Sequence, residues 1–176
     1  AARHADVAQH AELAAARELG RQRNLLVAAT GTGKTVMAAL DYRSLRQAGR
    51  VETLLYVAHR REILEQARRI FRNVLQMRDF GELLYHGERP AIQRHVFASI
   101  DSLGDGSAID PAAFDHVILD EAHHAAADSW EKLLARVAPK ELLGLTGTPE
   151  RADGLDYERH FPRPWVGNLR VWNAIP

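Results

Sequence analysis

With 176 residues, 46% of them hydrophobic and 26% charged, the chain has the composition of a soluble globular protein of about one domain. It has no cysteine and balances 23 Lys plus Arg against 23 Asp plus Glu, which excludes disulfides and cysteine-ligated zinc and leaves no net basic charge to argue for nucleic acid. No apolar run approaches the roughly 18 residues of a membrane span and no signal-peptide core is present, so a cytoplasmic setting without a membrane partner is expected.

In chain order, residues 5–19 are alanine-rich and read as a helix closed by Gly20. Apolar runs at 25–28, 53–58, 95–98, 117–120 and 142–146 read as strands. Between them, Lys34–Gln47 reads as a helix ended by Ala48 and Gly49. Arg61–Leu75 sets Ile63, Leu64, Ala67, Ile70, Phe71, Val74 and Leu75 on one helical stripe. Residues 129–137 do the same with Trp130, Leu133, Leu134 and Val137, with Asp128 or Ser129 as the expected N-cap. The strands are almost continuously apolar, as in a parallel sheet covered on both faces, so the fold class expected is α/β with helices flanking a mostly parallel sheet. Residues 1–150 form the domain. Residues 151–176 read as an irregular tail, with a short strand at 169–172. The arginine and alanine bias, with Lys34, Lys132 and Lys140 the only lysines, suggests a GC-rich bacterial source.

Ligands of such sheets sit beyond the carboxyl ends of the strands, and the chemistry-bearing residues fall there. After the first strand come Ala28, Ala29, Thr30, Gly31, Thr32, Gly33, Lys34 and Thr35. A glycine-rich turn can aim backbone N–H groups at a phosphate, and a helix starting near Gly33 adds its positive end. Lys34 would reach the β- and γ-phosphates of a nucleoside triphosphate, and the Thr35 hydroxyl would coordinate Mg2+. The run 117–119 ends in Asp120 and Glu121. Asp120 would hold the Mg2+ shell, and Glu121 would face the γ-phosphate and polarise the attacking water. His123 and His124 follow. Without cysteine or ligand spacing for zinc, His123 reads as a coupling residue rather than a metal ligand. Thr146 and Thr148 flank Gly147 and are expected to bond across to Asp120 or His123. His59, Arg60 and Arg61 open a helix, where cations are unfavourable unless a phosphate backbone docks there.

These stretches in this order resemble the first RecA-like, ATP-binding domain of superfamily 2 helicases of the DEAD/DEAH type. Residues 28–35 resemble motif I of that family (its Walker A loop), including Ala28 where the general phosphate-loop pattern has glycine. Asp120, Glu121, Ala122 and His123 match motif II, the DEAH box, letter for letter. Thr146, Gly147 and Thr148 resemble motif III, with Gly147 in place of Ala. Val57, Ala58, His59 and Arg60, with Glu62 and Gln66, resemble motif Ia. Residues 97–103 resemble the next nucleic-acid-contact motif, with Ser99 in the contact position and Asp101 where Gln is often seen. Pro149, Glu150 and Arg151, then Asp153, Gly154, Leu155 and Asp156, look like bacterial type III restriction motor subunits. The resemblance covers about residues 20–173. An adenine-reading Gln upstream of motif I has only Gln9 and Gln22 as candidates.

The resemblance implies an ATP- and Mg2+-dependent motor domain acting on nucleic acid, DNA in preference to RNA. It implies a second RecA-like domain that supplies an arginine finger, with residue 176 falling where an interdomain linker would begin. Such fingers contribute on the order of 10³–10⁵ in rate, so the chain alone is expected to hydrolyse ATP very slowly. A duplex DNA translocase of a restriction system stays open, as does a non-hydrolysing nucleotide-dependent binding module. The Asp120–Glu121 pair argues against the module.

Overall fold

The computed structural model describes residues 2–29, 31, 33–104, 106–124, 126–150 and 154–167, with side chains from residue 7 onward. Six short apolar runs form strands: β1 (Arg23–Val27), β2 (Leu54–Ala58), β3 (Glu82–Leu84), β4 (His95–Ser99), β5 (His116–Asp120) and β6 (Glu141–Thr146). They make one sheet in the order β1-β6-β5-β2-β4-β3, and every pairing is parallel. The expected α/β class with a parallel sheet is therefore what the chain forms. β3 was not expected. It is a three-residue edge strand paired only to β4, too short to carry a periodic signal.

Strand residues alternate between two apolar faces. Leu26, Tyr56, Phe97, Ile118 and Leu143 pack with Leu13, Met37, Tyr42, Leu64 and Phe71 of α1 (Ala2–Glu18), α2 (Lys34–Gln47) and α3 (Arg61–Leu75). Leu25, Leu55, Val57, Val117 and Leu119 pack on the other side with Trp130, Leu133 and Leu134 of α4 (Ala127–Arg136) and Tyr157 of α5 (Tyr157–His160). Both faces are covered, which is why the strand sequences are continuously apolar. Each fully buried large side chain, such as Trp130 or Phe71, contributes roughly 1.5–3 kcal/mol.

At the amino ends of the strands, Arg17 from α1 donates to both carboxylate oxygens of Asp41 on α2, at 2.5 and 2.6 Å, and to Glu141 on β6 at 3.0 Å. This buried network fixes α1 against the sheet. Gly20 closes α1 as expected, in the left-handed region at φ 82°, with Arg21 N bonded to Ala16 O. The expected N-cap of α4 is corrected: the helix begins at Ala127, with Ala126 in the cap position and no side-chain cap bond. Asp128 instead sits in the first turn, where an acid faces the positive helix end.

Residues 155–166 return to the body. Leu155, Tyr157 and Phe161 are buried, and Val166 bridges β1 in parallel, accepting from Val27 N at 2.7 Å and donating to Leu25 O at 2.9 Å. The strand expected at 169–172, and Arg151 and Asp153, lie outside the described residues. Among the described residues, no helix is long and apolar enough to cross a membrane.

Candidate active site

Because all the strands run one way, their carboxyl ends share one edge of the sheet, and the loops that follow them lie along it. β6 lies between β1 and β5. Ala28 N donates to Thr146 O at 3.0 Å, and Glu121 N donates to Leu145 O at 2.9 Å. The glycine-rich loop and the acidic pair thus hang from consecutive residues of one strand.

In the loop, Gly31 and Gly33 take φ of 81° and 85°, which glycine adopts without strain. α2 starts immediately after Gly33 and has no acid in its first turn, so its positive end faces the loop uncompensated by its own side chains. Lys34 is nearly buried. Its Nζ donates to Ala28 O at 3.0 Å and lies 3.1 Å from Glu121 Oε1. Ala28 is buried and Ala29 exposed; Thr30 and Thr32 lie outside the described residues.

Asp120 is 5% exposed at the tip of β5 and accepts from Tyr56 Oη at 2.6 Å. Burial pushes its carboxyl up to about 6, against the pull of Tyr56 and Lys34. Burial raises the pKa of Tyr56 well above its ordinary value, with Asp120 adding to that and the Thr35 side chain opposing it. The Thr35 hydroxyl and the buried Asp120 carboxylate are hard oxygen donors, which suit Mg2+. Glu121 follows in the left-handed region at φ 48°, a conformation uncommon for a residue with a side chain. That turn swings its carboxylate toward Lys34. His123 Nδ1 lies 3.1 Å from Glu121 Oε2.

Thr146 departs from one expected partner. Its hydroxyl reaches Glu121 Oε2 at 3.5 Å, the limit of a hydrogen bond, and not Asp120. The register pairs Asp120 with Leu145, which brings Thr146 level with Glu121. Thr148 N in turn donates to Thr146 Oγ1 at 3.1 Å. Glu121, His123 and His124 place ligand atoms within 4.8 Å of one another, a closeness that sequence spacing did not suggest. The His124 ring is tilted against His123 at 4.0 Å and stacked on His59 at 4.7 Å, so a ladder of rings joins the β5 loop to the β2 loop. Burial, then the neighbouring His124, Arg60 and His123, lowers the pKa of His59.

Along the same edge, Arg60 is exposed at the start of α3, whose cap has no side-chain bond. Arg61 is taken by Glu65 at 2.9 Å and Glu88 at 2.5 Å. Ser99 is 1% exposed, and its Oγ caps the next turn, accepting from Ser102 N at 3.3 Å and pairing with Ser102 Oγ at 2.7 Å.

Two participants were not singled out from sequence for this site. Tyr56 reads there as one more apolar strand letter. Gly154 lies so close to the acidic turn that a Cβ on it would stand 2.5 Å from His123 Cα, and Leu155 N bonds Ala122 O at 3.4 Å.

A parallel sheet carrying a glycine loop, a lysine and a strand-tip acid pair defines a RecA-like nucleotide-binding motor domain. Residues 3–151 match the ResIII family, described as type III restriction enzyme, res subunit, and the chain belongs to that family. It is 28% identical over 156 residues to the type I restriction enzyme EcoAI endonuclease subunit of Escherichia coli, covering 82% of this chain and 19% of that protein. It is 29% identical over 161 residues to a Schizosaccharomyces pombe protein provisionally named a mitochondrial ATP-dependent helicase, irc3, covering 81% and 26%. The chain therefore spans about a fifth to a quarter of these relatives. The fold is similar to the Sulfolobus solfataricus SWI2/SNF2 ATPase core solved with double-stranded DNA, with a TM-score of 0.70, 14% identity, and coverage of 85% of this chain and 33% of that one. The chain is thus a first RecA-like domain of a restriction-motor-like helicase.

Proposed function

We propose that this domain binds ATP with Mg2+ and hydrolyses it to drive movement on nucleic acid, DNA in preference to RNA, once a second RecA-like domain closes over the site. The observation that carries this is Lys34 Nζ at 3.1 Å from Glu121 Oε1, with Asp120 alongside. Ala28, Ala29, Thr30, Gly31, Thr32 and Gly33 cradle the phosphates through their backbone, and Lys34 leaves Glu121 for the β- and γ-phosphates. Thr35 and Asp120 hold Mg2+, which when bound neutralises phosphate charge. Glu121 orients the water that attacks the γ-phosphorus and takes its proton, while the bridging oxygen departs with ADP.

His123, Thr146 and Thr148 couple the nucleotide state to the neighbouring strand through their contacts with Glu121 and one another. His59 and Arg60 meet the phosphate backbone of nucleic acid, and Ser99, being buried, shapes the adjoining turn rather than touching the strand. Residues 1–150 act as the ATP-binding domain, and residues 151–176 lead towards the second domain. The protein works in the cytoplasm of a bacterium. Without an arginine finger the domain turns over very slowly.

Substituting Lys34→Ala in the intact protein tests the site. ATP binding and turnover are expected to fall away while the circular dichroism spectrum is kept, and normal turnover contradicts the assignment. Membership of a restriction-enzyme family favours a second reading, a motor that moves along duplex DNA without separating strands. Triplex displacement without strand displacement would select it.

A further inference from the structure

We infer that Tyr56 is a positioning residue for the metal, its hydroxyl orienting Asp120 towards the cation that accompanies the nucleotide. This rests on the nucleotide-site reading above. Tyr56 is fully buried on β2, next to β5, with its ring stacked on Phe97 at 5.4 Å and met edge-on by Phe71 at 5.8 Å. A phenylalanine would serve that packing equally, so the hydroxyl needs its own account, since burying one is costly unless it is bonded.

The bonding fixes a direction. Asp120 as a carboxylate can only accept, so the one proton of Tyr56 is spent on it, at 2.6 Å. The bond falls on Oδ2, so the other oxygen of Asp120 is left as an acceptor face for a cation or its waters. Partners that orient metal ligands in this way are typically worth 10–100-fold in metal affinity.

The test is Tyr56→Phe in the intact protein, titrated with Mn2+ in the presence of ADP and followed by electron paramagnetic resonance. ADP affinity in EDTA and the melting temperature are measured in parallel. The expected result is a Mn2+ affinity about 10-fold weaker, with metal-free ADP affinity and melting unchanged. Asp120→Asn should lose more. Wild-type Mn2+ affinity in Tyr56→Phe, with Asp120→Asn impaired, overturns the role of Tyr56 and leaves the nucleotide site standing. Wild-type affinity in both overturns the nucleotide site as well. An equal loss of ADP affinity in EDTA also overturns the inference, since it marks a general packing role. If Tyr56→Phe melts early, the same readings are taken well below its melting temperature.

Discussion

Lys34 Nζ and Glu121 Oε1 stand 3.1 Å apart, so the cation suited to phosphate is held by the carboxylate suited to water. In the proposed function, ATP binding breaks this pair: phosphate oxygens would replace Glu121 on the lysine, and the freed carboxylate would turn to the attacking water. Glu121→Gln removes the competitor for Lys34, so its ATP affinity is expected to equal or exceed that of wild type in a fluorescent-nucleotide titration.

Gly154→Ala should disturb the acidic turn from outside. The added Cβ would stand 2.5 Å from His123 Cα and 2.8 Å from Ala122 O, at a backbone φ of 121° that side chains rarely adopt. Overpacking of this kind costs about 1–3 kcal/mol. A lowered melting temperature with reduced ATPase is expected, read by differential scanning fluorimetry beside a turnover assay.

Arg17→Ala leaves Asp41 and Glu141 buried without their shared cation. Removing one partner from a buried ion network typically costs about 3–5 kcal/mol. Urea denaturation should show a loss of that size, much larger than for Arg69→Ala on the wet face of α3.

His116 supplies a pH signature. It is fully buried beside Tyr42 at 5.8 Å, and neither ring nitrogen has a hydrogen-bond partner among the described residues. Burial lowers its pKa from 6.5 to about 4, with Arg17 adding to that and Asp41 opposing it. The unfolded chain therefore takes up the proton first as pH falls. Stability drops from about pH 6.5 and levels off near pH 4, by at most about 3 kcal/mol. Asp120, raised to about 6, acts oppositely in that window, so the difference between wild type and His116→Leu is the quantity to measure. It should favour the variant increasingly as pH falls from 6.5 to 4.

Much of the fold was legible because two faces of apolar packing leave a plain mark. α2 and α3 have the bounds their stripes and stop residues give, and the strands shift by a residue or two at their ends. The glycine loop and the acid pair were legible because a phosphate nest and a strand-tip acid need those residue types in that order. What was not legible depends on distant partners. Arg17 looks like an ordinary helix-end cation until the fold brings it to Asp41, 24 positions away, and Glu141, 124 away. Tyr56 looks like core until β2 lies beside β5. The engagement of Thr146 with Glu121 rather than Asp120 follows from a one-residue register that no local pattern encodes.

The most direct test of the account is steady-state ATP turnover by the intact protein carrying Glu121→Gln, measured with nucleic acid present and at saturating Mg2+. Retained ATP binding with turnover lowered by about 100-fold or more, the usual scale for loss of a positioned base, is the predicted result. Turnover at the wild-type rate would contradict it.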